Sequence, residues 1–339
     1  MIGVGIIGYG YWGPNLARAA AESGVASVQV IADPSPQARQ RAALRHPAAK
    51  LVSDVDQMLS DKTVDAVLIA TPVHTHFALA MAALKAGKHV LVEKPMTETV
   101  AQAHELVEEA ARRNLTLMVD HTFVYTPAIR QVSELVQQGE LGDLYYYDST
   151  RVNLGLFQRD VNVIWDLAVH DFAIMDHLFG QAPVAISACA ASFVAGSPEN
   201  MAHLTIHYDG GMMANLNVNW LAPVKIRQTL IGGSRKMVVY DDMQTSEKIK
   251  IYDRGATSND KPYEHLVSYR IGDMYAPALS SKEALQTELQ EFARAIESGT
   301  APLTDGLGGL RVVEMLAAAS RSCRLRGHPV DLVTLKEAS

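Results

Sequence analysis

A glycine-rich run near the start of the chain has the spacing of a phosphate-binding turn. Gly8, Gly10 and Gly13 form G-x-G-x-x-G between an apolar segment and an alanine-rich one. The first glycine permits a tight turn, the second lets the backbone approach a pyrophosphate, and the third lets a helix pack close to a strand. Free N–H groups at the start of that helix then face the phosphates. The run therefore predicts a dinucleotide-binding turn; the alternative is a glycine-rich turn that binds nothing.

An acidic residue follows this turn at the distance that a dinucleotide site requires. Asp33 stands at the end of the second apolar run, about 20 residues beyond the glycines. A carboxylate there accepts hydrogen bonds from a ribose 2′-OH and repels a 2′-phosphate. Asp33 therefore favours NAD over NADP. The alternative is that Asp33 caps a helix before Pro34.

The elements that must position these residues form a repeating pattern in the first third of the chain. Short apolar runs without polar alternation are separated by helical stretches, which predicts a parallel sheet covered on both faces. Right-handed crossovers then give a doubly wound α/β domain. The five predicted strands are residues 4–8, 28–32, 64–70, 89–93 and 115–119.

The pattern changes after about residue 122. Longer strands predominate, and Asp209-Gly210-Gly211 between two of them predicts a hairpin. Residues 252–276 are polar and predict an irregular loop, and two helices, residues 281–298 and 307–326, end the chain. We therefore predict an α/β domain at 1–122, followed at 123–339 by an α+β domain with a large, open, mostly antiparallel sheet.

Composition excludes several classes of protein. Of the 339 residues, 48% are hydrophobic and 20% charged, which is typical of a globular chain with ample core. The net charge of −7 argues against a nucleic-acid partner. The two cysteines, Cys189 and Cys323, do not form a disulfide framework, which favours the cytoplasm. The first ten residues predict a strand rather than a signal peptide, and no apolar run approaches the roughly 20 residues of a membrane helix.

Further motifs resemble one known family. The run GKHVLVEKP at 87–95, preceded by Ala70-Thr71-Pro72, and the Asp166-x-x-x-His170 pair closely resemble the Gfo/Idh/MocA oxidoreductases over essentially the whole chain. The resemblance implies an amino-terminal Rossmann domain that binds NAD. It also implies a homodimer or homotetramer formed through the carboxy-terminal sheet. One departure is Ala173, where many members have an aspartate, and it bears on the shape of the sugar pocket.

The resemblance also implies which residues contact the ligands. For the cofactor they are Gly8, Gly10, Tyr11, Trp12, Gly13, Asp33, Thr71, Pro72, His76, Glu93 and Lys94. For the substrate they are Lys94, Tyr125, Arg151, Asn153, Asn162, Trp165, Asp166 and His170. For His76 a structural role is the stronger alternative, and for Tyr125, Arg151, Asn153, Asn162 and Trp165 packing or a surface position is an equal one.

Oxidation of a secondary alcohol needs a hydride acceptor, a base for the hydroxyl proton and a group that stabilises the oxyanion. Our hypothesis is that His170 is the acid/base and that Lys94 binds the reacting oxygen; the reverse assignment stays open. Asp166 and His170 are four residues apart and so share a helix face. Asp166 could orient the imidazole or hold a sugar hydroxyl. A solvated Lys94, a core His170 and a structural Asp166 are the alternatives.

The sequence thus predicts an NAD-dependent dehydrogenase of a sugar ring alcohol. The segments around Arg151 and Asn162 look most like a branch that oxidises nucleotide-linked sugars at the 3-position. An inositol or free-sugar dehydrogenase, a ketosugar reductase and a non-catalytic NAD-binding sensor are the alternatives. Two histidine pairs, His74 with His76 and His203 with His207, lack a convincing third ligand, so no catalytic metal is predicted.

Overall fold

A computed structural model describes residues 1–155, 157–158, 160–258 and 267–332. The chain divides into two compact units. Unit 1 comprises Met1–Thr126 and Lys282–Glu314, and unit 2 comprises Pro127–Ser281 and Met315–Ser339. The prediction assigned both final helices to the second domain, whereas residues 282–314 belong to unit 1. No helix in the described ranges is long and apolar enough to cross a membrane.

Helices make up much of both units. In chain order they are α1 Gly13–Glu22, α2 Pro36–Arg45, α3 Val55–Leu59, α4 Val73–Lys85, α5 Val100–Arg113, α6 Pro127–Gln137, α7 Val169–Phe179, α8 Ala284–Ser298 and α9 Gly306–Arg324. A 3₁₀ turn at Thr122–Tyr125 follows the last strand of unit 1, and a π-helical turn at Ile164–Ala168 leads directly into α7.

Unit 1 contains a six-stranded sheet whose paired strands all run parallel, in the order β3-β2-β1-β4-β5-β6. The strands are β1 Ile2–Ile7, β2 Ala26–Ala32, β3 Lys50–Val52, β4 Ala66–Ile69, β5 His89–Glu93 and β6 Leu117–Asp120. Every residue of β1, β4 and β6 is buried, because strands of a parallel sheet are covered on both faces. The predicted Rossmann arrangement is confirmed. The prediction missed β3, which has only three residues and begins with an exposed lysine.

Unit 2 contains a nine-stranded sheet in the order β14-β13-β12-β11-β7-β10-β9-β8-β15. The strands are β7 Leu144–Leu154, β8 Ala185–Ala191, β9 Met201–His207, β10 Met213–Asn219, β11 Leu221–Gly233, β12 Met237–Asp241, β13 Ile249–Ser258, β14 Val267–Tyr275 and β15 Val330–Asp331. Strands β7 and β10 pair in parallel, and the other neighbours in the described ranges pair antiparallel. The mostly antiparallel sheet and its hairpin at Asp209–Gly211 are confirmed; Gly210 and Gly211 there have φ of 78° and 87°.

The prediction of an irregular loop at residues 252–276 was wrong for the part that the structure describes. Strands β13 and β14 pair antiparallel from Ile251 opposite Tyr275 to Ser258 opposite Val267. Residues 259–266 lie outside the described ranges. Exposed side chains such as Ile271 and Met274 show that β14, at the edge of the sheet, buries little. An edge strand of this kind has no strict apolar–polar alternation, so its sequence carries little strand signal.

Candidate active site

The carboxyl edge of the unit 1 sheet brings most of the predicted cofactor residues together. Gly8 follows β1, Asp33 follows β2, Thr71 lies just beyond β4 and Lys94 follows β5. Because the strands are parallel, their carboxyl ends meet at one edge, where ligands bind in open α/β sheets. His121, which the sequence analysis did not single out, follows β6 at the same edge.

The glycine turn has the geometry that a pyrophosphate needs. Gly8 has φ of 90°, and a Cβ on Gly13 would lie 2.0 Å from the carbonyl oxygen of Gly8. A Cβ on Gly10 would meet nothing within 4 Å, so the backbone at that position faces open space. In the described structure no side chain caps the first turn of α1. Pro14 has no N–H and the N–H of Asn15 donates to the carbonyl oxygen of Trp12, so the N–H of Gly13 is the one that this turn offers to an anion. The turn therefore fits a dinucleotide.

Asp33 is fixed in place by the backbone around it. Its Oδ2 accepts the N–H of Tyr9 at 2.7 Å and its Oδ1 accepts the N–H of Ser35 at 2.8 Å. The cap of α2 is Ser35, whose hydroxyl accepts the N–H of Ala38, so Asp33 is not a helix cap. Each carboxylate oxygen retains a further acceptor position for a ribose hydroxyl.

His76 lies inside unit 1 and braces two of the loops that carry site residues. It is 1% exposed, with Nδ1 2.9 Å from the carbonyl oxygen of Pro95 and Nε2 2.8 Å from that of Thr71. In either tautomer one ring N–H donates to one of these loops. Burial lowers the pKa of His76. This geometry gives His76 a structural position beside Lys94 and Thr71. A structural role was the stronger alternative for His76 in the sequence analysis.

Other predicted residues of unit 1 have mixed positions. The side chain of Tyr11 is exposed, and Pro72 precedes α4 on the surface. The indole Nε1 of Trp12 donates to Oδ2 of Asp120 at 2.8 Å, which directs this side chain into unit 1. Tyr125 is 1% exposed and its hydroxyl is 3.1 Å from Oγ1 of Thr304, so Tyr125 is a core residue. Its predicted contact with substrate has no support in this geometry.

In unit 2 the π-helical turn positions the predicted acid–histidine pair. Asn162 begins the segment: its Oδ1 accepts the N–H groups of Ile164 and Trp165, both at 3.2 Å. Asp166 lies within the π-helical turn and accepts the indole N–H of Trp220 at 3.1 Å. His170 is the second residue of α7, and both Asp166 and His170 are half-buried. Single π turns occur frequently at functional sites.

Three of the predicted substrate residues of unit 2 have structural contacts. Asn162 caps the segment, as described above. The indole of Trp165 donates to Oγ of Ser320 at 2.9 Å, and Asn153 is half-buried on β7. Arg151 is 4% exposed, and its Nε lies 3.1 Å from Oδ2 of Asp171. Arg151 is thus paired with Asp171, the residue after His170.

The sequence analysis missed Asp171, the centre of a buried polar cluster. It is fully buried and also accepts the hydroxyls of Tyr147 at 2.9 Å and Ser149 at 2.7 Å. Tyr147, Ser149 and Arg151 alternate along β7 and so point to one face of the sheet. Three polar residues at alternate positions on a buried strand were the available signal. The cluster anchors the start of α7, and therefore His170, to β7.

Comparison with known proteins agrees with this geometry. Residues 2–121 match the family model described as oxidoreductase family, NAD-binding Rossmann fold, and residues 133–332 match that of the oxidoreductase family, C-terminal alpha/beta domain. The chain belongs to the Gfo/Idh/MocA oxidoreductase family. Unit 1 is accordingly an NAD-binding Rossmann domain, and the chain is an oxidoreductase.

Several members of the Gfo/Idh/MocA family are similar along most of this chain. UDP-N-acetylglucosamine 3-dehydrogenase of Acidithiobacillus ferrooxidans is 32% identical over 78% of this chain and 79% of its own. Its solved structure superposes with a TM-score of 0.79, covering 96% of this chain and 99% of that one at 27% identity. Inositol 2-dehydrogenase of Rhizobium meliloti is 24% identical over 94% of this chain and 96% of its own.

Proposed function

We propose that the protein transfers hydride between NAD and a ring secondary alcohol of a nucleotide-linked sugar, at the 3-position. The proposal of hydride transfer rests mainly on the carboxyl edge of the unit 1 sheet. There the glycine turn, Asp33 and Lys94 follow the parallel strands β1, β2 and β5. The similarity to a UDP-N-acetylglucosamine 3-dehydrogenase supports the sugar and its position. The conservative alternative is a cyclitol or free-sugar dehydrogenase, which the similarity to inositol 2-dehydrogenase supports.

In this proposal each site residue has a separate task. The glycine turn and the first turn of α1 hold the pyrophosphate, and Asp33 accepts the ribose hydroxyls. When bound, NAD supplies the hydride acceptor. His170 takes the proton of the sugar hydroxyl at an imidazole nitrogen, and Lys94 stabilises the negative charge that develops on the same oxygen. Asp166 orients the imidazole or holds a neighbouring hydroxyl.

A substrate panel tests the proposal. We would follow NADH absorbance with UDP-sugars, dTDP-sugars, free hexoses and inositols, each with NAD and with NADP. The expected result is turnover with a UDP-linked N-acetylated sugar or its uronate and NAD. Turnover with inositol or a free sugar alone would contradict the nucleotide-sugar assignment. Tight NAD binding without turnover on any substrate, in either direction, would instead support a non-catalytic sensor.

Replacement of Asp33 tests the preference for NAD without any knowledge of the substrate. In Asp33→Asn the side chain keeps its size and one oxygen that can accept a backbone N–H, but it loses its negative charge. We expect NAD to bind about tenfold more weakly, because hydrogen bonds to a charged group are worth about 1.5–3 kcal/mol. NADP should bind more tightly than to the unmodified protein, because the repulsion of a 2′-phosphate is removed.

Calorimetric titration with NAD and NADP measures both effects. Asp65→Asn is the matched control, because Asp65 also accepts a backbone N–H, that of Gly3 at 2.7 Å, but lies at the amino ends of the strands. An unchanged ratio of the two affinities in Asp33→Asn would show that Asp33 serves only to hold the glycine turn.

A further inference from the structure

Three carboxyl groups lie together in the interior of unit 1. Glu93 ends β5 and Asp120 ends β6, and the two residues are opposite each other in the register of the parallel pair. Glu288 approaches Asp120 from α8 and is fully buried, while Asp120 is 2% exposed. No group of acidic, histidine or cysteine side chains in the described ranges has the arrangement of a metal site. These carboxyl groups must therefore be accommodated without a cation of that kind.

Buried carboxyl groups in contact with each other are commonly accommodated by sharing a proton. In the described structure the buried oxygens of Glu288 face the carboxyl group of Asp120 and the hydroxyl of Thr122, and that hydroxyl donates to Oδ1 of Asp120. Two carboxyl groups bond to each other only when one of them carries a proton. Burial, and then the charge of Asp120, raise the pKa of Glu288 well above its ordinary value, and the same two causes raise the pKa of Glu93.

Asp120 connects this cluster to the glycine turn. Its Oδ2 accepts the indole N–H of Trp12, and its Oδ1 accepts the hydroxyl of Thr122. Trp12 is part of the G-x-G-x-x-G run and immediately precedes α1. With both oxygens engaged by these donors, the orientation of Asp120 determines where the Trp12 side chain is held.

We propose that Glu288 is a positioning residue for the dinucleotide: it donates the shared proton to Asp120, and Asp120 in turn fixes Trp12 and the phosphate-binding turn. Loss of that proton puts two negative charges in contact in the protein interior. The free energy of their repulsion exceeds the stabilisation from one indole hydrogen bond, so Asp120 moves and its hydrogen bond with Trp12 breaks. The inference rests on NAD binding by unit 1 and is independent of the sugar substrate.

Other charged and titratable groups surround the pair. The charge of Lys94 offsets part of the rise in the pKa of Glu93, and burial lowers the pKa of His121 to about 4, so this imidazole is neutral at physiological pH. Burial raises the pKa of Tyr125 well above its ordinary value, so Tyr125 is neutral as well. The groups that face the pair are Glu93 and Lys94 at β5, His121 at β6 and Tyr125 in the 3₁₀ turn, and Glu291 on α8 in turn faces Tyr125.

The decisive comparison is between Glu288→Gln and Glu288→Leu. Glutamine supplies a permanent N–H donor to Asp120, whereas leucine fills a similar volume without a donor. Calorimetry of NAD binding should show Glu288→Gln within about twofold of the unmodified protein, and Glu288→Leu weaker by about tenfold or more. In the unmodified protein NAD affinity should fall as the pH rises and the proton is lost. In Glu288→Gln that decline should be absent.

A double substitution tests whether the effect passes through Trp12. In Trp12→Phe the indole donor is missing, so adding Glu288→Leu should change NAD affinity by less than about twofold. Glu297→Gln, an exposed glutamate on the same helix, is the control and should bind NAD as the unmodified protein does. A full tenfold effect of Glu288→Leu in the Trp12→Phe background would overturn the proposal, as would equal binding by Glu288→Gln and Glu288→Leu.

The pH dependence of the melting temperature tests for the shared proton directly. This measurement does not need Glu288→Leu, so it remains possible if that variant does not fold. A carboxyl group whose pKa is raised in the folded state contributes stability that is fully present below its unfolded value, near 4.5, and lost as the pH rises through the raised value. The difference in melting temperature between Glu288→Gln and the unmodified protein should therefore grow with pH in favour of Glu288→Gln. A difference that does not vary with pH would contradict the shared proton.

Discussion

Replacing Lys94 with alanine is expected to lower kcat by about 10²–10⁴-fold while leaving NAD affinity within a few-fold. Lys94 directly follows β5, at the edge where Thr71 and the glycine turn also lie. Its proposed partner is the reacting oxygen rather than the pyrophosphate, so its loss should affect the chemical step more than cofactor binding. Steady-state kinetics and calorimetric titration with NAD separate the two. Lys85→Ala, at the exposed end of α4, is the control.

Two further substitutions decide which residue moves the proton. Arginine at position 94 keeps the positive charge but cannot give up a proton at accessible pH. If Lys94 stabilises the oxyanion and His170 is the base, Lys94→Arg should retain clearly more activity than Lys94→Ala. His170→Asn should lose about 10²-fold or more and also the limb of the pH–rate profile that a histidine gives near neutrality. Equal inactivity of Lys94→Arg and Lys94→Ala, with the limb intact in His170→Asn, would reverse the two roles.

Removing the carboxylate of Asp171 is expected to destabilise the protein by about 3–5 kcal/mol, because it breaks a buried ion pair with the guanidinium of Arg151 by removing one partner. The side chains of this pair are 5% and 0% exposed, at an N–O distance of 3.1 Å. Tyr147 and Ser149 would lose their acceptor as well. Urea denaturation of Asp171→Ala, compared with the unmodified protein, measures the loss.

Two variants make this result specific. Asp148→Asn removes a carboxylate from the same strand, one that binds the exposed Asn215 at 2.8 Å, and should cost less than about 1 kcal/mol. The double variant Arg151→Met with Asp171→Leu removes both charges and should recover part of the loss, because no unpaired charge remains in the interior. A loss for Asp171→Ala no larger than that for Asp148→Asn would mean that the cluster does not stabilise α7.

The features predicted correctly from the sequence are those that neighbouring residues encode. An apolar run such as residues 64–70 is enough to predict β4, because a strand buried on both faces needs apolar side chains throughout. The positions of the glycine turn and of Asp33 could be predicted for the same reason, since each directly follows its strand; the role of Asp33 in cofactor binding stays a prediction. The three residues of β3 and the sparsely buried β14 owe their strand conformation to hydrogen bonding with a neighbouring strand, which local sequence does not record.

The buried polar clusters were not predicted, because their members meet only in the folded chain. Glu288 reaches Asp120 from a helix near the carboxyl end, and nothing around either residue distinguishes it from a surface acid. Arg151 was a substrate candidate because its segment resembles the nucleotide-sugar branch of the family, with packing as an equal alternative; in the structure a buried aspartate from α7 holds it. The sequence signal for the Asp171 cluster lay on β7, where Tyr147, Ser149 and Arg151 alternate, rather than around Asp171 itself.

The return of residues 282–314 to unit 1 limits how hybrid enzymes can be built from this chain. Within unit 1, Glu283, the residue before α8, pairs with Arg18, and Thr304 is the hydrogen-bond partner of Tyr125. A hybrid joined at a single point near residue 126 would seat a foreign helix in place of α8 and lose both contacts. Exchange of this Rossmann unit between relatives therefore requires three crossovers, one near residue 126 and one on each side of the 282–314 segment, so that the unit moves whole.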